Sequence, residues 1–383
     1  MQRRGETDAD EGLGEFDYII LDELHAAESH VAKALHVDLD VSMTRRILGH
    51  DPISTSASVE EWREWGRMLR VALASKLDRI SRELRLAHED GGVRRELIDE
   101  LSTLRGLDRD LSDLGQMYGR WIVERISDSK LSFDPVWTDR YAEKLLFRGI
   151  PVVVGMSATV VPATLRYLGI EEGTYDFFEY ASPFDIRRRP IYVWPIVRMN
   201  YTMSDQAKVK WAEATDSLLA ARLDRKVLIP TVSYKRAREL QQLSKRAGSF
   251  VMHDPKSTKD AVERFRRMSP PAVLVSPSVS TGWDFPDDDV RTIIVAKTPY
   301  PSRESAVMQA RIASDHTYQD VYAATEFSQT VGRHVRSETD WGETIVTDAA
   351  FGGLTGGEKW RNLAKYIRQA ITYVKTAPRP LKY

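Results

Sequence analysis

Residues 16–35, FDYIILDELHAAESHVAKAL, run a short apolar segment into an aspartate-glutamate pair and a histidine, and then into residues that favour a helix. The isoleucines at 19 and 20 suit a strand and AAESHVAKAL suits a helix, so the segment reads as strand, carboxylate-bearing turn and helix. The pattern returns in PVVVGMSAT (151–159) and then in PIYVWPI (190–196), KVLIPTV (226–232), AVLVSPS (272–278), RTIIVAK (291–297) and ETIVTDA (343–349). Apolar strands of this length separated by helical patterns predict a doubly wound α/β fold.

Between the first two strands the period changes. Trp62, Trp65, Leu69, Leu73, Leu77, Ile80, Leu84 and Ala87 recur at steps of three or four, HEDGG (88–92) interrupts them, and Leu97, Leu101, Leu104, Leu111, Leu114, Tyr118 and Trp121 resume the spacing. Two long amphipathic helices forming an antiparallel hairpin are expected. Tryptophans and leucines at helical spacing are core residues more often than platforms for bases.

Length and composition set limits. A chain of 383 residues with 42% apolar content can hold two or three domains with real cores. Its 55 basic residues are balanced by 56 acidic ones, so a nucleic-acid surface has to be local. With no cysteine, this chain cannot hold a disulfide, a Cys-ligated zinc or an iron-sulfur cluster. No run reaches the roughly 18–20 apolar residues of a bilayer span, and the first sixteen residues lack a signal-peptide core, so no membrane partner and a cytoplasmic location are expected. There is no repeat at a solenoid period.

The Asp22-Glu23 pair at a strand end suits magnesium-nucleotide chemistry, in which one carboxylate holds Mg²⁺ and its neighbour orients a water. Alone, such a pair is also an ordinary turn. Five further segments follow in order: SAT (157–159), TVSY (231–234), SVSTGWDFP (278–286), KTPYP (297–301) and QTVGRHVRSETDWG (329–342). With DELH they resemble motifs II to VI of superfamily 2 helicases. The order, together with SFDPVW (132–137), YASPF (180–184) and the helical insert, is similar to the C-terminal two-thirds of the XPD/DinG family of DNA helicases. The resemblance covers nearly the whole chain from residue 16.

That resemblance implies two RecA-like domains of the P-loop-NTPase type, the first incomplete, with an inserted α-helical, arch-like hairpin. Residues 1–25 and 134–181 would form the truncated first domain, 26–133 the insertion and 182–383 the second domain. ATP and Mg²⁺ would be the cofactors and single-stranded or forked DNA the partner. Asp22 would take the metal role, Glu23 the water role, and His25 would link the nucleotide to motif III; Leu24, where alanine is more usual, would matter little. Ser157 and Thr159 would couple nucleotide state to domain movement.

Arg333 and Arg336 match the arginines that reach the γ-phosphate, with Gln329 beside them. Their spacing of three would put both on one helix face, and Gly332 would allow close approach. Gly282 and Asp284 would be the motif V contacts, and Thr281 departs from the glutamate frequent at its position. Thr231, Ser233, Tyr234, Ser276 and Ser280 would meet nucleic-acid phosphates from loop tips.

A helicase also needs G-x-x-x-x-G-K-[ST] to cradle phosphates, and the sequence contains none. GGLTGGEK (352–359) has glutamate before its lysine and no hydroxyl after it, and reads as a surface loop. In the family the phosphate loop precedes the DELH strand, so an N-terminal helicase portion carrying it is the expected partner. The alternative is a non-hydrolysing module for single-stranded nucleic acid, derived from a helicase.

Overall fold

The computed structural model describes residues 16–87, 91–279 and 282–383. Ser280 and Thr281, and part of the expected break at 88–92, lie outside them. The chain forms two compact units, one of 16–156, 166–171 and 302–316, the other of 157–165, 172–301 and 317–383. DELH and the helical hairpin thus share a unit, whereas SAT belongs to the other. Among the described residues no helix is long and apolar enough to cross a membrane.

In the first unit, β1 (Tyr18–Leu21) leads through the carboxylate turn to α1 (Ala27–Leu35) and β2 (Val37–Asp40). The hairpin helices α2 (Val59–Leu86) and α3 (Gly91–Gly115) follow, then β3 (Trp121–Ser127), β4 (Lys130–Pro135) and β5 (Val152–Gly155). Ser58 caps α2 in a reciprocal box with Glu61. Leu69, Leu73, Ile80, Leu104, Leu111 and Leu114 are buried as their spacing predicts. Trp62 is fully buried, edge-on to both Trp65 and Phe133, so the tryptophans are core. A Cβ on Gly66 would sit 3.2 Å from Leu111 O, which shows how closely the helices approach.

Two expectations are corrected here. The second helix does not continue to Trp121: it stops at Gly115, Gly119 turns the chain at φ +76°, and Trp121 opens β3. The insertion is not only helical either, because β2, β4 and β3 form an antiparallel sheet whose Phe133 meets Trp62.

β1 and β5 form a separate parallel pair, in register from Tyr18 opposite Val152 to Leu21 opposite Gly155. Tyr18, Ile20, Val152, Val153 and Val154 are all exposed on it. The helix Ala306–Ser314 joins this unit through Arg311, whose guanidinium pairs with Glu28 at 2.6 Å and donates to Val136 O at 2.7 Å.

The second unit holds seven parallel strands in the order β12-β6-β11-β10-β7-β9-β8. They are β6 (Ile191–Val197), β7 (Lys226–Pro230), β8 (Phe250–Val251), β9 (Ala272–Ser276), β10 (Thr292–Val295), β11 (Glu343–Asp348) and β12 (Ile371–Tyr373). Alternate residues serve opposite cores. Leu228, Leu274, Ile293 and Val346 pack with α6 (Thr258–Arg267) and α7 (Tyr318–Val331). Val227, Ile229, Val273, Ile294 and Ile345 pack with α4 (Asp205–Ala220) and α5 (Tyr234–Leu243). Burial on both faces is why these strands read as unbroken apolar runs, and each fully buried side chain contributes about 1.5–3 kcal/mol.

At the N-terminal ends of the strands lies a buried ionic layer. The Arg222 guanidinium is bidentate to Glu343 at 2.6 and 3.1 Å, both side chains being fully buried, and Thr292 donates to the same carboxylate. The C-terminal tail closes this layer: Pro378 O accepts from Arg222, Leu381 O accepts from Arg225, and Leu381 N donates to Glu343. The segment read as a surface loop, GGLTGGEK, is instead a helical turn, Gly352–Thr355, and a 3-10 stretch, Gly357–Asn362, anchored by buried Leu354 and a Lys359–Asp320 ion pair of 2.9 Å.

Candidate nucleotide and nucleic-acid site

The carboxylate end is built at the paired C-terminal ends of β1 and β5. Met156 N donates to Leu21 O at 2.8 Å and Leu24 N to Met156 O at 2.9 Å, which turns the chain sharply after Asp22. Glu23 takes a left-handed conformation, φ 52° and ψ 45°, and its N–H donates to Asp22 Oδ1 at 2.9 Å. A non-glycine residue held there is strained, a feature that concentrates at functional sites. Both carboxylates stay exposed, and His25 Nδ1 lies 3.1 Å from Glu23 Oε2. Leu24 does matter: it is buried directly over Gly155, where an added Cβ would collide with its side chain. Two exposed adjacent acids fit Mg²⁺ carried on a nucleotide, since that ion keeps waters and phosphate oxygens and takes one or two carboxylates.

In the second unit the motif residues form a connected chain. Ser157 Oγ accepts from Thr159 N at 3.1 Å. Gln329 Nε2 donates to the buried Thr159 hydroxyl at 2.8 Å, and Arg333 Nη2 donates to Gln329 Oε1 at 3.2 Å. The Arg333 guanidinium also approaches Asp284 at 3.5 Å, and Arg336 pairs with the same Asp284 oxygen. The two arginines do not share a helix face. α7 ends at Val331 with Gly332 as its cap, and the arginines leave the turn beyond it because Arg333 O accepts from Phe285 N and Arg336 N donates to Asp340. A Cβ on Gly332 would meet Ser328 O at 3.4 Å, an ordinary contact, so close approach is not what places glycine there. Gly282, at φ +79°, does need its missing side chain.

Asp340, to which the motif pattern assigns no role, holds the segments around Asp287 and Arg336 together. It accepts from Arg336 N at 3.0 Å, Trp341 N at 2.8 Å and Asp287 N at 3.4 Å, and pairs with Arg291 at 2.5 Å. Burial pushes this carboxyl up, but the backbone donors and Arg291 outweigh it and hold it below the usual carboxylate range. The serine-x-x-aspartate behind the second arginine was its visible signal. Between the arginines, His334 is wholly buried against Gly342, and desolvation pushes its imidazole down to about 4.

The motif hydroxyls divide. Ser233 caps α5 by accepting from Arg236 N at 3.3 Å, and Tyr234 stands edge-on to His253. Thr231 and Ser276 are fully buried, not at loop tips: Thr231 donates to Ser233 O, and Ser276 is engaged by His253 Nε2 at 2.6 Å and Ser278 N. Ser276 ends β9 and Thr231 directly follows β7, its neighbour in the sheet, and the two are paired by the Thr231 N to Ser276 O bond. Ser280 lies outside the described residues.

Comparison with known proteins follows the same lines. Residues 218–369 match the family model described as the helicase C-terminal domain. A solved structure described as XPD helicase is similar over 94% of this chain and 68% of its own, at 15% identity and a TM-score of 0.56. S. tokodaii Xpd4 is similar over 93% of this chain and 75% of its own, at 14% identity and 0.54. An apo XPD structure is similar over 93% and 77%, at 14% identity and 0.52. At these identities the likeness establishes the fold, the mixed α/β architecture of RecA-like helicase domains.

Proposed function

From the premise that residues 218–369 are a helicase C-terminal domain in a chain resembling the C-terminal portion of an XPD/DinG-like superfamily 2 helicase, we propose that the chain couples ATP hydrolysis to movement along single-stranded DNA and duplex unwinding. The observation that supports this most is the gathering of Arg333 and Arg336 on one Asp284 oxygen, tied through Gln329 to Thr159. Two guanidiniums converging on one anionic oxygen offer the donor fork that suits a phosphoryl group, with Asp284 standing where a phosphate oxygen would be bound. When bound, Mg²⁺ neutralises charge on the nucleotide. Asp22 would hold it, Glu23 would orient the water, and the arginines would neutralise charge developing on the phosphoryl oxygens.

Hydrolysis further requires a phosphate-cradling loop, which these 383 residues do not spell. The test is therefore DNA-stimulated phosphate release by this chain mixed with a polypeptide carrying G-x-x-x-x-G-K-[ST]. A gain over either component is expected, and Arg336→Ala should reduce it by roughly 10³-fold or more. No gain overturns the hydrolytic reading. Salt-sensitive DNA binding indifferent to ATP and to Arg336→Ala would then favour a non-hydrolysing single-strand-binding module, which the lack of a phosphate loop in this sequence motivates.

A further inference from the structure

The loop after β6 displays an aromatic ring that no motif accounts for. Tyr201 is 85% exposed, yet its loop is fixed on both sides: Met199 and Met203 are buried in the core beside α4, and Met199 N donates to Asp348 Oδ1 at 2.9 Å. Arg236, buried at the start of α5, donates to Asn200 O at 2.5 Å. A single exposed tyrosine is ordinary. One held on an anchored loop beside cations is a different object.

The Lys235 ammonium lies 5.0 Å from the centre of the Tyr201 ring. Lys297, two residues past the end of β10, is half-buried and makes no ion pair among the described residues. Burial pushes its ammonium down and nearby Arg236 pushes it further, with only Asp348 opposing. Asp348 is itself occupied by the backbone N–H groups of Met199, Thr298 and Ala350. Arg236, the one cation of the group with a carboxylate contact, is paired with Glu239. An aromatic ring with the Lys235 ammonium against it, and Lys297 on the neighbouring loop that Asp348 ties to the Tyr201 loop, therefore lies beyond the C-terminal ends of parallel strands, where ligands of such sheets bind.

We propose that Tyr201 is a stacking platform for one base of a single-stranded nucleic acid whose backbone phosphates are held by Lys235 and Lys297. This rests on the nucleic-acid-binding role proposed above and adds residues outside the recognised motifs. Stacking accepts any base, because every base has a π face, and the lysines read no sequence.

The test is fluorescence anisotropy of labelled oligo(dT), and of an abasic oligonucleotide of equal length, over a salt series. Tyr201→Ala should weaken oligo(dT) binding by about 5- to 100-fold without changing the salt slope, while Tyr201→Trp restores it. Lys297→Gln should lower the slope by about 0.7 on both probes. On the abasic probe the Tyr201→Ala loss should vanish. The proposal is overturned if wild-type protein binds oligo(dT) but Tyr201→Ala stays within about twofold of it, or if the loss persists on the abasic probe. If wild-type protein binds neither probe at low salt, the nucleic-acid role falls as well.

Discussion

His334 sits in the turn that carries both motif VI arginines, and burial takes its pKa down to about 4 from an ordinary 6.5. The folded chain thus binds fewer protons than the unfolded one between those values. Stability from this group is complete above about pH 6.5 and is lost as the pH falls towards 4, by up to about 3 kcal/mol. Urea unfolding at a series of pH values should show that dependence, and His334→Gln should flatten it in the same window. Single residues were the least legible level. Arg333, Arg336 and Gln329 stand out in the sequence through the pattern of their motif; the structure gathers the two arginines at Asp284 with Gln329 beside Arg333, but not on the shared helix face that a spacing of three suggests. Asp340 organises the same turn through donors from three separate residues. That is a tertiary fact with no local periodicity, as is the burial of Leu24 over Gly155.

Elements were legible where burial is uniform along a strand or regular along a helix. The central strands of the second unit fill cores on both faces, and the hairpin helices keep their apolar stripe. The antiparallel sheet is not legible in the sequence because β2 spans only four residues and β3 opens where a helical spacing happens to continue into Trp121. The helix Ala306–Ser314 is tied to α1 by the Arg311–Glu28 ion pair. Glu28 is raised by burial, and the Arg311 guanidinium only partly counters this. Arg311→Ala leaves a buried carboxylate without its partner and should cost about 3–5 kcal/mol, read by thermal or urea unfolding. Adding Glu28→Gln to that variant should recover part of the loss, since the uncompensated charge is then gone.

On the scale of the whole chain, a sheet assembled from residues 191–373 is finished by the last residues of the sequence. Removing residues 377–383 strips acceptors from Arg222 and Arg225 and a donor from Glu343, all buried. The expected outcome is a loss of about 2–4 kcal/mol in the unfolding of the second unit, because buried charged groups without hydrogen-bond partners are costly. Hydrogen exchange at β10 and β11 would register it. The β1–β5 pair has the opposite character, with Tyr18, Ile20 and Val152–Val154 facing outward. An oily ribbon of this kind responds to the solvent: ammonium sulfate, which strengthens apolar association, should drive the chain into light-scattering clusters at modest concentration, and Ile20→Lys should raise the salt needed to do so.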